Sequence, residues 1–333
     1  MRRGLILLSV AVMSVLSSCS RSLPFHSTSV SSSEKNSSWS KEKLDIAAAY
    51  AKEIGSGAVL VLDDGHVVFS FGDTRRKYMC HSIRKPFLGA LYGIYVGMGV
   101  IDIHTTLEEL NIKDIPPSLT SVEKQATIRD LLMSRSGVYH EAAGEARSMI
   151  NARPKRGSHN PGTFFYYNNW DFNTLGTIFE QATGKRIFNA FDKDIAKPIG
   201  MKDFSPADCT YVFERSKSKH PAYFFRMSTR HMARFGFLYQ NYGMWIGKQI
   251  VPEKWIREST TVYPVENCTL SPNTHCCMSI SCFHKTIPYS LPFQHPIFSE
   301  QQILLSNPTA LQHIYVHETE LSYLKNLSFF PPD

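Results

Sequence analysis

From Phe87 to Ile101 the chain is apolar almost without a break. Gly89, Gly93, Gly97 and Gly99 punctuate the run and permit close packing by neighbouring elements. Such a stretch either crosses a membrane or forms a helix covered by the rest of its domain. It is slightly short for a span and sits inside a globular pattern of helices and strands, so it predicts a core helix.

Just ahead of that run lies Cys80-His81-Ser82-Ile83-Arg84-Lys85-Pro86-Phe87. One helical turn brings Ser82 and Lys85 onto the same face. A serine hydroxyl at a helix N-terminus, where developing negative charge is favoured, then sits beside an amine. Burial disfavours the charged form of a lysine, so such an amine can lose its proton near neutral pH and serve the hydroxyl as general base. The same spacing recurs at Ser32/Lys35, Ser38/Lys41, Ser40/Lys43, Ser121/Lys124 and Ser216/Lys219, all in polar stretches. Context singles out Ser82, with an ordinary helix cap as the competing reading.

The chain has 333 residues and a formal net charge of +7, spread along its length. The length suits one large domain or two modest ones, and no block of like charges marks a nucleic-acid arm. Met1-Arg2-Arg3-Gly4, an apolar run from Leu5 to Leu16, and Ser17-Ser18-Cys19 describe an export signal over residues 1–18. Leu16-Ser17-Ser18-Cys19 also resembles a bacterial lipobox, which implies cleavage before Cys19 and a lipid on that cysteine. An ordinary secretory signal is the alternative. Residues 19–40, rich in serine, read as a tether.

Lys41 to Glu53 has helical spacing. Gly57 to Leu62 and Val67 to Phe71 read as strands joined at Asp64-Gly65. Ile101 to Pro117 is a connection with one short helix. Thr127 to Gly137 is a helix ending at a glycine. A basic loop from Arg153 to Gly162 precedes Phe164-Phe165-Tyr166-Tyr167-Asn168-Asn169-Trp170-Asp171, and a helix then runs from about Phe172 to Thr183. Tyr167 and Asn169, two apart on a loop before a helix, can face one cleft, where a phenol relays a proton and an amide orients a substrate. An aromatic packing loop is the structural alternative. Met227 to Tyr239 and Pro252 to Ser259 read as further helices.

These segments resemble the serine hydrolases related to class C β-lactamases and penicillin-binding carboxypeptidases. Ser82-Ile83-Arg84-Lys85 resembles that family's first motif, and Tyr167-Asn168-Asn169 its Tyr-x-Asn motif, with Phe172 and Leu175-Gly176 in register. Leu131-Leu132-Met133-Ser134-Arg135-Ser136-Gly137 and Lys248-Gln249-Ile250-Val251-Pro252 resemble two further landmarks. Tyr166/Asn168 and Tyr239/Asn241 are the other phases of the second motif. Esterases and hydrolases of 6-aminohexanoate oligomers look nearer than true β-lactamases. The resemblance implies an α/β (α+β) fold: an antiparallel sheet flanked by helices, with a mostly helical subdomain and a cleft between them. It implies Ser82 as nucleophile, Lys85 as base, Tyr167 as proton shuttle and Asn169 as a substrate-orienting group. The oxyanion hole would use the Ser82 N–H and one from a later strand. No metal or organic cofactor is implied.

The landmarks cover residues 41–263, and residues 264–333 form an atypical tail. Gly247 is the last glycine, so the family's third motif, a Lys or His, a small residue and Gly, has no match; Lys285-Thr286-Ile287 is its nearest imitation. At about 7% average usage, a tail of this length should hold several glycines. The tail lacks alternating strands, leaving the final strands of the sheet incomplete, and only Thr309 to Leu327 has a helix-like rhythm. It could be the product of an out-of-frame or truncated gene, a divergent end to the sheet, or a disulfide or metal cluster using Cys268, Cys276, Cys277 and Cys282 with His275 and His284. Pro86 is a second departure, because proline restricts the residue before it and could turn Lys85 away from Ser82.

The expectation is an exported, membrane-anchored serine hydrolase facing the periplasm, cleaving a small ester or amide, without a nucleic-acid partner. A catalytically inactive truncated or frameshifted relative and a non-catalytic peptidoglycan-binding lipoprotein stay open. Arg84, His140, His159, Trp170 and Asp171 could lie near the cleft, each read as structural or solvated rather than catalytic. Cys19→Ala is expected to abolish palmitate incorporation by the full chain and release it from the membrane fraction; undiminished labelling in the variant contradicts the lipobox reading.

Overall fold

The computed structural model describes residues 39–63, 65–261, 302–305 and 313–316. The chain opens with α1 (Lys41–Glu53), started by the Ser40 side chain, which accepts the Lys43 N–H. The hairpin β1 (Ala58–Asp63) and β2 (His66–Gly72) follows, then β3 (Lys77–Met79). A tight 3₁₀ turn, His81–Ile83, leads into α2 (Arg84–Gly97). After it come α3 (Ile128–Leu132), α4 (Arg147–Ala152), α5 (Asn169–Thr183) and α6 (Ile187–Phe191). β4 (Thr210–Val212), β5 (Ala222–Phe224) and β6 (Arg226–Ser228) precede α7 (Thr229–Gln240). β7 (Met244–Trp245), β8 (Lys248–Gln249), α8 (Glu253–Thr260), β9 (Gln302–Leu305) and β10 (His313–Val316) complete the order.

The main sheet is antiparallel with order β2-β1-β10-β9. β1 is its centre: Leu60 pairs with Ser70 on one side and Tyr315 on the other. Strand side chains alternate between faces, and β1 uses both. Val59 and Val61 pack with Ala51 of α1, while Leu60 and Leu62 join the large core shared with α2, α5 and α7.

β9 and β10 correct the expectation for the tail. Residues 313–316 lie within the stretch read as helix-like, yet they form a strand against β1. His-Ile-Tyr-Val is rich in branched and aromatic residues that suit a pleated surface, and β1 would otherwise expose an unpaired edge. The segments are four residues each, too short for an alternation to be read reliably. The cysteines of the tail, Lys285-Thr286-Ile287 and Cys19 lie outside the described residues.

α2 is the predicted core helix, buried on all sides from Arg84 to Tyr95. Phe87 meets Phe225, Phe191 and Phe235 at ring-centroid distances of 5.2, 5.2 and 4.8 Å. Burying one such ring fully contributes about 1.5–3 kcal/mol. Gly93 lets the Trp255 ring of α8 lie against the α2 backbone; a Cβ there would stand 2.3 Å from Trp255 Cδ1. The Tyr92 hydroxyl donates to Leu175 O at 2.8 Å and ties α2 to α5. No helix among the described residues is long and apolar enough to cross a membrane.

Several boundaries differ from the sequence reading. Ile101 to Pro117 holds turns rather than a short helix. α7 begins at Thr229 because Arg226–Ser228 is claimed by pairing with β3. α5 begins at Asn169, three residues early, because the Asn168 side chain accepts the Asp171 N–H at 2.8 Å and caps the helix.

Asp171 itself is fully buried. Its Oδ1 accepts the Ser136 hydroxyl at 2.6 Å, and its Oδ2 has no partner. Burial raises its pKa from the ordinary 3.8 to about 7, outweighing the opposing bonds from Ser136 and Asn168. A carboxyl whose folded pKa is raised favours the fold while protonated. Its contribution is full below about pH 4 and is lost as pH rises through about 7, a change of roughly 4 kcal/mol. Asp171→Asn keeps an acceptor for Ser136 and carries no charge. The stability of wild type relative to this variant, from urea midpoints, is expected to fall between about pH 5 and about pH 8 by a few kcal/mol. A constant difference over that range contradicts this account of Asp171.

Candidate active site

The site starts from a strand edge. Met79 of β3 pairs with Arg226, and the Cys80 N–H donates to Phe225 O at 2.9 Å. The chain then reverses at His81, whose φ of +39° lies in the left-handed region that a branched-at-Cβ or bulky residue adopts at a cost. This turn presents Ser82 half-buried at the start of the helix, with Ile83 packed beneath it.

Lys85 lies in the first turn of α2 and is 2% exposed. Its Nζ is 3.2 Å from Ser82 Oγ, 2.6 Å from Tyr167 Oη and 3.0 Å from Asn169 Oδ1. It also stands over the Tyr167 ring at 4.1 Å from the centroid. Pro86 does not turn Lys85 away: as the third residue of α2 it sits early in the helix, where a missing N–H removes one bond and leaves the later ladder intact. The structure thus brings Ser82, Lys85, Tyr167 and Asn169 to one point. Of the other phases of the second motif, the Tyr166 hydroxyl donates to Met149 O at 2.7 Å, and Asn241 closes the end of α7 through Met244 O.

Tyr167 is held by its neighbours. The Tyr166 N–H donates to Ser134 O at 2.9 Å, and Asn168 Nδ2 donates to Tyr166 O at 2.7 Å. Ser134, at φ +55°, and Gly137, at φ +71°, shape the loop that accepts this segment. A Cβ on Gly137 would stand 2.8 Å from His159 O, so the Arg153 to Gly162 loop packs directly on that backbone.

Asn169 lies on the first turn of α5 rather than on the loop. Its Nδ2 donates to Gly144 O at 2.6 Å, so its Oδ1 must face the cations. Asn173, one turn on, repeats the arrangement: Nδ2 donates to Ala143 O at 3.0 Å, and Oδ1 accepts from Arg84 Nη2 at 2.9 Å. Arg84 Nη2 also reaches Asn169 Oδ1 at 3.3 Å, and the guanidinium stacks over Tyr223 at 4.3 Å. Glu214 Oε1 accepts the Gly144 N–H at 2.8 Å and steadies this loop. The sequence reading leaves Arg84 near the cleft but outside the catalytic set, and it does not identify Asn173 or Gly144. The available signal was the i, i+4 pair of asparagines on one helix face.

The other residues set aside in the sequence have structural positions. Trp170 is fully buried and donates to Asp114 Oδ2 at 2.6 Å. His140 stacks on Trp170, and burial lowers its pKa. His159 stacks on Phe164 at 3.9 Å and bonds the Tyr139 hydroxyl at 3.0 Å. Among the described residues, no group of His, Cys, Asp and Glu could hold a metal ion.

Comparison with known proteins places this geometry. The D-aminopeptidase of Brucella anthropi is 28% identical over 178 residues, covering 47% of this chain and 34% of the relative. This chain thus spans about a third of that relative's length. A penicillin-binding protein homologue from Pyrococcus abyssi superposes with a TM-score of 0.57 at 16% identity, over 87% of this chain and 74% of that one. A beta-lactamase from Mycobacterium bovis gives 0.54 at 17% identity, over 87% and 95%. At such identities the superpositions speak to the fold. The family model for Beta-lactamase matches residues 44–276, past the last sequence landmark and across Ser82, Lys85, Tyr167 and Asn169 together, and the chain belongs to that family.

Proposed function

We propose that this chain is a serine hydrolase that cleaves an ester or amide through an acyl-enzyme on Ser82. The observation that carries the reading is the Lys85 amine, within hydrogen-bond distance of both the Ser82 hydroxyl and the Tyr167 phenol. A neutral amine has two N–H donors and one lone pair. Asn169 Oδ1 and Tyr167 Oη can take the two N–H groups, leaving the lone pair for the Ser82 proton.

In the proposed reaction, Ser82 Oγ bonds to the substrate carbonyl carbon while its proton passes to Lys85 Nζ. The carbonyl oxygen becomes an oxyanion, and the Ser82 N–H is one of its donors. Tyr167 Oη gives its proton to the leaving group as the carbon–heteroatom bond breaks, and regains one from Lys85 across the 2.6 Å contact. Water then attacks the Ser82 ester, losing its proton to the same pair, and Ser82 leaves with a proton restored. The D-aminopeptidase relative favours an amide next to an amino-terminal residue as one substrate class. The lipobox-like Leu16-Ser17-Ser18-Cys19 supports a site of action at a membrane surface outside the cytoplasm.

Hydrolysis of a p-nitrophenyl ester by the full chain is expected to fall by about a thousandfold or more in Ser82→Ala. Tyr167→Phe is expected to lower kcat by about 10²–10⁴. A fluorophosphonate is expected to add one adduct to wild type and none to Ser82→Ala. Equal hydrolysis by wild type and Ser82→Ala overturns the enzyme reading and favours a non-catalytic product.

A further inference from the structure

We propose that the face built from the β3–β6 ladder, the loop before β3 and the start of α7 docks on the headgroup phosphates of an anionic phospholipid bilayer. The inference is independent of the hydrolase reading. β3 and β6 pair at Lys77↔Ser228, Tyr78↔Met227 and Met79↔Arg226. Tyr78 and Met227 are buried, so strand alternation turns Lys77 and Arg226 to the opposite face. The Arg230 N–H of α7 donates to Thr74 O at 3.4 Å, which brings the loop of residues 73–76 against the start of that helix. Arg230 also forms an ion pair with Asp203, and the exposed Lys202 adjoins that pair.

Arg75, Arg76, Lys202 and Arg226 are all exposed, and none of them forms an ion pair among the described residues. The carboxylates of this face are committed elsewhere. Asp208 pairs with Lys77 at 2.6 Å, and Asp203 with Arg230. Asp73 Oδ1 accepts the backbone N–H groups of Arg75 and Arg76, each at 3.0 Å. Four cations thus meet solvent with one exposed carboxylate, Asp73, among them. They are also crowded: burial and the Arg75 charge both lower the Arg230 pKa. Like charges held this close oppose the fold, and an anion outside the chain relieves them.

Four cations spread over three separate segments suit a surface of many phosphates better than a single bound ion. A basic residue near an anionic leaflet strengthens binding by about fivefold, an effect that salt screens within a Debye length of about 8 Å. The lipobox-like Leu16-Ser17-Ser18-Cys19 favours a bilayer over a nucleic acid as the anionic partner. The face also adjoins the Ser82 turn. Met79, the partner of Arg226, lies three residues before Ser82, at most about 11 Å along the chain. Docking by this face therefore holds that turn close to the headgroups.

The test uses the full chain carrying Cys19→Ala, so that no lipid anchor contributes. Co-sedimentation is measured with vesicles of phosphatidylcholine alone and with phosphatidylglycerol added. The contribution of the apolar run from Leu5 to Leu16 is read from the neutral vesicles and subtracted. Binding to the phosphatidylglycerol vesicles is expected to exceed that baseline and to weaken as salt is raised. Arg75→Glu with Lys202→Glu is expected to weaken it by about twentyfold or more, and Arg76→Gln with Arg226→Gln by about tenfold or more. Both double variants are expected to keep the wild-type melting temperature, since the four side chains are exposed. Lys113→Glu with Lys254→Glu, exposed cations on other elements, is expected to weaken binding by less than about threefold.

Equal binding of the Cys19→Ala chain to the two kinds of vesicle overturns the proposal, and does so whether or not the double variants fold. Unchanged binding in either folded double variant also overturns it. So does an equal loss in the Lys113/Lys254 control, which would assign the effect to net charge alone. Tighter binding to duplex DNA than to the anionic vesicles at the same salt, lost in the same variants, would replace the bilayer with a nucleic acid.

Discussion

The side chain of Asn169 is the contact on which the site depends. Its nitrogen holds the loop at Gly144, and its oxygen holds Arg84 and Lys85 of α2, so one amide joins three segments remote in sequence. The polarity of that amide leaves no choice of orientation, because a backbone carbonyl can only accept and the two cations can only donate in their charged forms. Helix propensities differ by at most about 0.7 kcal/mol between ordinary residues, whereas stranding a buried charge costs roughly 3–5 kcal/mol. Hydrogen bonding to the cations therefore outweighs local preference in placing an asparagine at the start of α5.

The same comparison explains the ends of α2. Its middle is buried mainly by apolar contacts, and glycines there let Trp255 and Pro252 approach the backbone. Its first turn is equally buried yet carries an arginine, a lysine and a proline. Proline is tolerated because, early in the helix, its missing N–H removes one bond without breaking the later ladder. The arginine and the lysine are tolerated because α5 presents two amides, one turn apart, whose oxygens accept from them. The left-handed backbone beside α2 falls at His81, the residue that turns the chain from a strand edge to the helix and so sets where the Ser82 hydroxyl stands.

Much of this was legible in the sequence. The apolar run after Lys85 announced a core helix, Asp64-Gly65 announced the first hairpin, and the spacings of Ser82/Lys85 and Tyr167/Asn169 marked the four side chains that the fold assembles. Less legible was whatever depends on contacts between distant segments. Arg84 reads as a solvated charge until α5 is placed against it. Asn169 reads as a loop residue until Asn168 is seen capping the helix. Residues 313–316 have no local signature longer than four residues; only the waiting edge of β1 makes them a strand.

That last strand ties the tail to the chemistry. β10 lies beside β1, and both pack on α7. α7 continues directly from β6, which pairs with β3, and the Phe225 carbonyl one residue before β6 accepts the Cys80 N–H two residues ahead of Ser82. A shift of α7 against the sheet would therefore be felt at the turn that positions the nucleophile. Protein interiors are packed too densely to absorb such a shift locally. Residues 313–316, in a tail without a recognisable third motif, thus form part of the support on which the Ser82 turn is built.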